Sequence, residues 1–224
     1  MFPIRLHFSR DTTVELLRLA LPMVVSQGTF AVMIFTDRYF MSQIDPVPMA
    51  AALGGGVASF FSFCFFVGLF SYANAMAAQY LGAGEPEKCP KVVTQGLIMT
   101  VMSAPFLTLI TFLVAGIFET MGHDPEQVEL SRIYYLILMS GVLVNLAKTC
   151  ISSYFAGIGR TKVVMICDVF GLVINVPLSY VMVFGKLGFP ELGIVGAGIS
   201  TVIATILAFL LFVIFYFLKE HRET

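Results

Sequence analysis

The sequence predicts an all-α integral membrane protein with six transmembrane helices, and three observations lead to this fold class. Hydrophobic residues make up 58% of the 224 residues and charged residues only 12%, whereas about 25% of the residues in soluble domains are charged. The mean hydropathy is +0.91. The apolar residues also gather into six stretches, each long enough to cross a bilayer, which takes about 20 residues of helix.

Short polar segments that contain Gly or Pro separate the six predicted spans and supply the residues that end helices. We expect the chain from residue 1 to residue 224 to form one six-helix lobe. The predicted spans cover about residues 14–41, 50–81, 91–119, 127–157, 163–185 and 192–218.

The distribution of Lys and Arg predicts that both termini are cytoplasmic, because cytoplasmic loops carry the excess of these residues. With the N-terminus inside, the outer side holds only Arg38, Arg132 and Lys186. The cytoplasmic side then holds Arg5, Arg10, Arg18, Lys88, Lys91, Arg160, Lys162, Lys219 and Arg222.

The sequence lacks the patterns that nucleic-acid-binding proteins and enzymes require. The net charge of −1 provides no basic field for a nucleic acid. The glycine-rich segment 82–88 lacks the Gly-Lys-Ser/Thr ending of a phosphate-binding loop, and no Ser, His or Asp has the context of a nucleophile elbow. We therefore predict neither an enzyme nor a resident cofactor. The cysteines show no metal-ligand spacing and are predicted as small buried side chains: Cys64, Cys89, Cys150 and Cys167.

Small residues and prolines in the spans predict how the helices pack and bend. Glycines let two helices approach closely, and we favour this packing role over a role in gating. A proline inside a span removes a backbone hydrogen bond and can bend the helix. The glycines are Gly54, Gly55, Gly56, Gly193, Gly196 and Gly198, and the prolines are Pro22, Pro105 and Pro177.

Five polar residues fall where lipid is expected, and such residues usually face a cavity or a partner. With 1.5 Å per residue, Asp37 lies roughly 13 Å from the midpoint of the first span toward the outside. Lys148 and Asp168 lie roughly 6 Å and 9 Å toward the cytoplasm on the fourth and fifth spans. Asn145 and Asn175 lie close to the midplane.

These depths suggest that Lys148 and Asp168 form an ion pair within the membrane, which favours a structural role in helix packing. Asp37 then has no cation at its own level. A desolvated carboxyl group in that position could bind a proton or Na⁺. The alternative is that Asp37 and Arg38 only mark the interfacial end of the helix. Asn145 and Asn175 could line a cavity or form interhelical hydrogen bonds.

Several motifs, found in order along nearly the whole chain, resemble those of one known family. Their order and number are more specific than any one of them alone. The sequence resembles the N-terminal lobe of multidrug and toxic compound extrusion (MATE) transporters, which belong to the multidrug/oligosaccharidyl-lipid/polysaccharide exporter superfamily. The motifs are Leu19-Ala20-Leu21-Pro22, Thr36-Asp37, Met49-Ala50-Ala51-Ala52-Leu53-Gly54, Gln79-Tyr80-Leu81-Gly82-Ala83-Gly84, Gly157-Ile158-Gly159-Arg160-Thr161-Lys162, Asn175-Val176-Pro177-Leu178, and the run from Glu191 to Thr201.

The resemblance implies a secondary antiporter that exports drug-like, often cationic amphipathic compounds in exchange for H⁺ or Na⁺. It implies location in a bacterial cytoplasmic membrane and a second six-helix lobe, either in the same chain or as a dimer partner.

The resemblance also implies roles for particular residues. Asp37 matches the aspartate associated with cation coupling, and it would be the metal ligand if the ion is Na⁺. Asn175 matches an asparagine that lines the same lobe cavity, and we expect Asn145, Ser179 and Thr201 there as well. Some members carry a second acid at the position of Ser179, so the serine here argues against a relay of two aspartates.

Two alternatives to drug export remain open at this stage. A lipid-linked precursor flippase of the same superfamily would have more cationic residues in its cavity, for which only Lys148 is a candidate. A non-transporting membrane scaffold would not need Asp37 for its function.

Overall fold

The structure, a computed structural model, describes residues 10–218 except 121 and 123, and it is all-helical over this part of the chain. The predicted all-α membrane fold is therefore confirmed. The helices are α1 (Arg10–Ser42), α2 (Pro46–Gly82), α3 (Cys89–Ile117), α4 (Pro125–Ser140), α5 (Val142–Gly157), α6 (Thr161–Phe184) and α7 (Gly193–Phe217), and single 3₁₀ turns at Pro86–Lys88 and Phe118–Thr120 flank α3.

Part of the orientation prediction falls on residues that lie outside those described. This is so for Arg5, Lys219 and Arg222. The side chain of Arg10 is also outside the described set, although its backbone begins α1.

Within the described residues, five helices are long and apolar enough to cross a membrane, and α4 and α5 together make a sixth span if a bend of 49° is allowed. The sequence suggested one continuous span over 127–157. The structure divides this stretch at Gly141, whose N–H bonds to the carbonyl oxygens of Leu138 and Met139. A Cβ at Gly141 would lie 3.0 Å from Cγ1 of Val202 on α7, so the bend occurs where α7 crosses closely.

Local chemistry fixes where several helices begin and end. The side chain of Asp45 caps α2 by accepting a hydrogen bond from the backbone N–H of Val47 at 2.9 Å, and Pro46 occupies the first helical position, where its missing N–H costs little. Asp124 caps α4 in the same way. Helix α6 ends at Gly185, which adopts a left-handed conformation with φ 63° that glycine tolerates best.

Three apolar clusters hold the helices together. One is centred on Leu146 and joins α2, α3, α4 and α5. A second is centred on Phe212 and joins α2, α3, α5, α6 and α7. The third contains Met41 and joins α1, α2, α4, α6 and α7. The outer surface is also strongly apolar, as shown by Phe61 and Phe112, which are more than 70% exposed and are suited to lipid.

Helix α1 packs mainly against α6 and carries a buried polar stripe. Ser26, Thr29 and Asp37 are all buried, and their spacing places them on one face of the helix. Pro22 and Met41 continue the same face toward the two ends. The stripe brings the polar residues of α1 against α6 and α7, where the candidate site lies.

Candidate functional site

The carboxylate of Asp37 lies buried between α1, α6 and α7. Its Oδ1 accepts a hydrogen bond from Oγ of Ser179 at 2.9 Å, and its Oδ2 accepts one from Oγ1 of Thr201 at 3.0 Å. Asp37 is 6% exposed and Ser179 is 0% exposed. No lysine, arginine or histidine among the described residues forms a salt bridge with Asp37. Two hydroxyl groups therefore stabilise this carboxylate in place of a cation.

Asn175 joins the same group of polar side chains. Its Nδ2 donates to Oγ1 of Thr201 at 3.3 Å. The side chain is fully buried, and within the described structure its Oδ1 has no hydrogen-bond partner. An unpaired buried carbonyl oxygen is unfavourable, so this oxygen can accept a hydrogen bond or bind a cation.

The Asp37 site lies between an apolar layer and a polar cavity. On one side, one helical turn away on each of the three helices, Met41, Val183 and Ala197 are fully buried in an apolar cluster. In the other direction, Met33 and Thr205, one turn from Asp37 and Thr201, belong to the wall of a cavity, as does Gly171, one turn from Asn175. The Asp37 site is thus closed on one side by apolar packing and is separated from the cavity by a single helical turn.

This cavity has a volume of about 520 Å³ and lies between α1, α2, α5, α6 and α7. Its wall combines aromatic and methionine side chains with hydroxyl and amide groups. Among the described residues, Lys148 and Asp168 are the only charged residues that line it. The apolar residues include Met23, Phe30, Phe60 and Phe63, and the polar ones include Gln27, Asn74, Asn145 and Ser153.

Lys148, Asp168 and Ser26 form a second polar site at the cavity wall. Nζ of Lys148 lies 3.3 Å from Oδ1 of Asp168, and Oγ of Ser26 donates a hydrogen bond to Oδ2 of Asp168. The pair is partly accessible, with 24% of the Lys148 side chain and 16% of the Asp168 side chain exposed. These contacts join α1, α5 and α6.

The residues singled out from the sequence therefore fall into two groups. Asp37, Asn175, Ser179 and Thr201 form one hydrogen-bonded set that does not line the cavity. Asn145, Lys148 and Asp168 line the cavity instead.

Ser26 was missed by the sequence reasoning, although a signal for it exists. It lies eleven residues before Asp37, which is about three turns of helix, and therefore shares the face of Asp37. A search for polar residues in phase with Asp37 would have found it.

Oxygen atoms dominate the Asp37 site, and they suit a proton or a hard cation rather than a transition metal. The described residues contain no group of three or more His, Cys, Asp or Glu side chains that could jointly hold a metal ion. The histidines His7, His123 and His221 lie outside the described residues.

Comparisons with known proteins give a consistent result. A family model described as MatE matches residues 22–181, which is more than half of the chain. The chain is 27% identical to a probable multidrug resistance protein NorM from Synechococcus over 88% of its own length and 42% of the relative. It is 29% identical to the multidrug resistance protein NorM from Vibrio cholerae over 97% of its length and 47% of the relative.

The fold is also found among solved structures. A MOP superfamily transporter from Pyrococcus furiosus superposes with a TM-score of 0.80 at 21% identity, over 92% of this chain and 45% of the other. The chain thus spans about half the length of the relatives it matches. With several membrane spans, a MatE match over most of its length and a fold shared with one lobe of a MOP superfamily transporter, the chain is an integral membrane protein of the MatE family of transporters and not an enzyme.

Proposed function

We propose that this chain is one six-helix lobe of a secondary antiporter that exports drug-like, often cationic amphipathic compounds in exchange for H⁺ or Na⁺. Asp37 is the cation-coupling residue, and the adjoining cavity receives the substrate. The NorM relatives are multidrug resistance proteins, which supports the substrate class.

One observation carries the proposal. Asp37 is a buried carboxylate whose two oxygens are hydrogen-bonded by hydroxyl groups, with no salt bridge to it among the described residues. A buried carboxylate is expensive to keep charged without a cation. Binding of H⁺ or Na⁺ therefore removes a large electrostatic cost, and the site can alternate between two states.

The surrounding groups suit either ion. A hydroxyl group can both donate and accept a hydrogen bond, so Ser179 and Thr201 can reverse roles when Asp37 takes up a proton. Na⁺ would instead be held by oxygen atoms, for which Asp37, Thr201 and Oδ1 of Asn175 are the candidates. If the ion is H⁺, Asn175 orients the hydroxyl group of Thr201 through its hydrogen bond. If the ion is Na⁺, Asn175 is a direct ligand.

The position of the site explains how ion binding could influence substrate binding. Neutralising Asp37 changes the forces that hold α1 to α6 and α7, and those three helices also form much of the cavity wall. The ion shifts the lobe between two packings, and one of these releases substrate to the outside.

The arrangement in the membrane is also part of the proposal. The lobe works in a bacterial cytoplasmic membrane with both of its ends on the cytoplasmic side. It pairs with a second six-helix lobe, supplied by the same chain or by a dimer partner, because the relatives are about twice as long.

The decisive experiment measures ion-driven export of ethidium, an aromatic cation, from proteoliposomes. These contain the product of the complete open reading frame that encodes this chain. A pH gradient without Na⁺ and a Na⁺ gradient at equal pH are imposed separately, so that the gradient that drives export identifies the ion. We expect Asp37→Asn to reduce ion-driven export at least about tenfold, since it removes the ionisable group.

The matched control is Asp45→Asn, which changes an exposed aspartate just beyond the end of α1. Asparagine caps helices as well as aspartate does, so this variant should export at the wild-type rate. Wild-type export by Asp37→Asn under the same gradient would refute the coupling role.

A further inference from the structure

Helices α1 and α6 run side by side in parallel, with a constant register between them. Ser26 of α1 bonds to Asp168 of α6, and three turns further on Asp37 of α1 accepts a bond from Ser179 of α6. In both pairs the residue numbers differ by 142. The register therefore indicates which residues face each other at the end of the helix pair where α6 begins.

At that end the register brings positive charges together. It places Arg18 opposite Arg160, which directly precedes α6, and Lys162 lies in the first turn of α6. The proximity is confirmed at Gly159, where a Cβ would lie 3.9 Å from Cδ2 of Leu19. Arg18 and Lys162 are exposed, and neither forms an ion pair with another described residue. Like charges held at one level repel each other unless an anion lies between them.

This basic cluster, made of Arg18, Arg160 and Lys162, lies at the depth of lipid headgroups. With 1.5 Å per residue, Arg18 lies roughly 14 Å from the midpoint of the first predicted span, on the side opposite to Asp37. Half of the hydrocarbon core of a bilayer is about 15 Å thick. Arg18 is therefore level with the boundary between the acyl chains and the headgroups.

Each of the two helices continues from the basic cluster into an exposed apolar stripe. On α1, Leu21 and Val25 follow Arg18 by three and seven residues. On α6, Ile166 follows Lys162 by four residues. Residues at these spacings share one face of a helix. All three apolar side chains are exposed, and none of them lines the cavity. The positive charge at headgroup level thus adjoins apolar surface at the level of the acyl chains.

We infer that the ends of α1 and α6 form a binding site for an anionic phospholipid. Its phosphate binds the basic cluster through charge-assisted hydrogen bonds, and its acyl chains lie along the two apolar stripes. An acidic protein segment would match the charge but not the adjoining apolar surface. The bound lipid removes the repulsion between the two helix ends. The inference depends neither on the coupling ion nor on the substrate.

A single tryptophan beside the basic cluster can report which lipid lies there. The 224 residues contain no tryptophan, so Val25→Trp introduces one reporter. The protein is the product of the complete open reading frame, with any tryptophan encoded elsewhere in that frame replaced by phenylalanine. Quenching by brominated phosphatidylglycerol, which is anionic, is compared with quenching by brominated phosphatidylcholine in mixed bilayers. The comparison gives the relative binding constant of the two lipids at the reporter.

Ile98→Trp is the matched reporter on another helix. Val25 lies seven residues after Arg18, and Ile98 lies seven residues after Lys91, a single exposed lysine at the start of α3. Both reporter positions are exposed, and within the described structure α3 does not pack against α1 or α6. The second reporter therefore measures the general attraction of a basic helix end for anionic lipid, without the basic cluster.

At the Val25→Trp reporter we expect phosphatidylglycerol to be favoured at least about threefold, because each basic side chain near the headgroups adds to the attraction. The preference at the Ile98→Trp reporter should be at most half as large. Arg18→Gln/Lys162→Gln should bring the preference at the Val25→Trp reporter close to one, and Lys91→Gln should leave it unchanged. Both residues of the double variant are exposed, and an unchanged melting temperature verifies that it is folded.

Three outcomes would overturn the inference. The first is equal quenching by the two lipids at the Val25→Trp reporter. The second is an equal preference for phosphatidylglycerol at both reporters, which would mean a diffuse attraction and no site. The third is a preference at the Val25→Trp reporter that persists in the double variant. If the double variant does not fold, the comparison of the two reporters still decides the matter.

Discussion

Ser179 is the residue through which the contribution of hydrogen bonding at Asp37 can be measured. Its hydroxyl group donates to Oδ1 of Asp37 at 2.9 Å, and the side chain is fully buried. Ser179→Ala removes the donor and leaves Oδ1 of Asp37 without this hydrogen bond. Such a loss costs about 1–3 kcal/mol in buried sites. We expect ion-driven export to fall about tenfold and the melting temperature in detergent to decrease.

Ser200→Ala is the matched control for this substitution. Ser200 is also fully buried, but its hydroxyl group bonds to the carbonyl oxygen of Ala197 within its own helix. Its loss should have little effect on export. In the Asp37→Asn background, Ser179→Ala should cause almost no further loss, because the two residues act through one contact. Additive losses would contradict the direct role of this hydrogen bond.

The sequence could identify single charged residues better than their hydroxyl partners. Depth along each span was enough to place Lys148 and Asp168 at similar levels, and the structure has them 3.3 Å apart. Asp37 stood out because a charge in a span is rare. Ser26 and Thr29 did not stand out, since serine and threonine are common in membrane helices and can bond to their own backbone. Their helical phase with Asp37 is the sequence signal that distinguishes them, and the structure adds that this face of α1 packs against α6.

At the scale of helices, the close approach of α2 and α4 depends on one glycine. A Cβ on Gly55 would lie 2.6 Å from the carbonyl oxygen of Ser131, which is a backbone atom that cannot rotate away. Gly55→Ala should therefore separate the two helices and lower the stability by about 1–3 kcal/mol. The measurement is the melting temperature of the purified protein in detergent.

Gly68→Ala provides the comparison within the same helix. A Cβ on Gly68 would meet nothing within 4 Å, and alanine favours the helix over glycine by about 0.8–1.0 kcal/mol. This variant should melt at the same temperature as the wild type or slightly above it. Equal effects of the two substitutions would show that helix propensity, and not the approach of α4, determines the result.

The positions of the helices were easier to predict than their breaks and contacts. Long apolar runs bounded by polar, Gly- and Pro-bearing segments indicate spans directly, and α7 at Gly193–Phe217 lies within one residue of each end expected from the run. The bend between α4 and α5 was not predicted, because the apolar run continues through Gly141 and only the proximity of Val202 favours a break there. The run Gly54-Gly55-Gly56 indicated close packing, but it did not reveal that Gly55 makes the tightest approach.

At the scale of the whole molecule, α1 connects the proposed coupling site at Asp37 to the cavity. Its buried face contacts Ser179 and Thr201 through Asp37, and contacts Asp168 through Ser26. The two sites therefore lie on one helix, about three turns apart. In the proposed mechanism, a change in the ionisation of Asp37 alters how α1 packs on α6, and this alters the cavity wall without a direct contact between ion and substrate.

The proposed direction of transport depends on how the lobe is oriented in the membrane. With α4 and α5 counted as one crossing, successive loops lie on opposite sides. The segment that follows α2 contains Glu85 and Lys88, and the segment that follows α6 contains Lys186. These two segments lie on opposite sides, because three crossings separate them. The excess of Lys and Arg on the side of Lys88 predicts that this side is cytoplasmic.

Labelling of single introduced cysteines with a membrane-impermeant maleimide tests this orientation in intact cells. Glu85 and Lys186 are both exposed, so each position is chemically accessible from its own side. Lys186→Cys should react in intact bacteria treated to admit the reagent to the periplasm, and Glu85→Cys should react only after the inner membrane is permeabilised. The unsubstituted chain gives the background from its four cysteines, of which Cys89, Cys150 and Cys167 are buried. The reverse labelling pattern would mean that the lobe has the opposite orientation, and Asp37 would then lie toward the cytoplasmic end of α1.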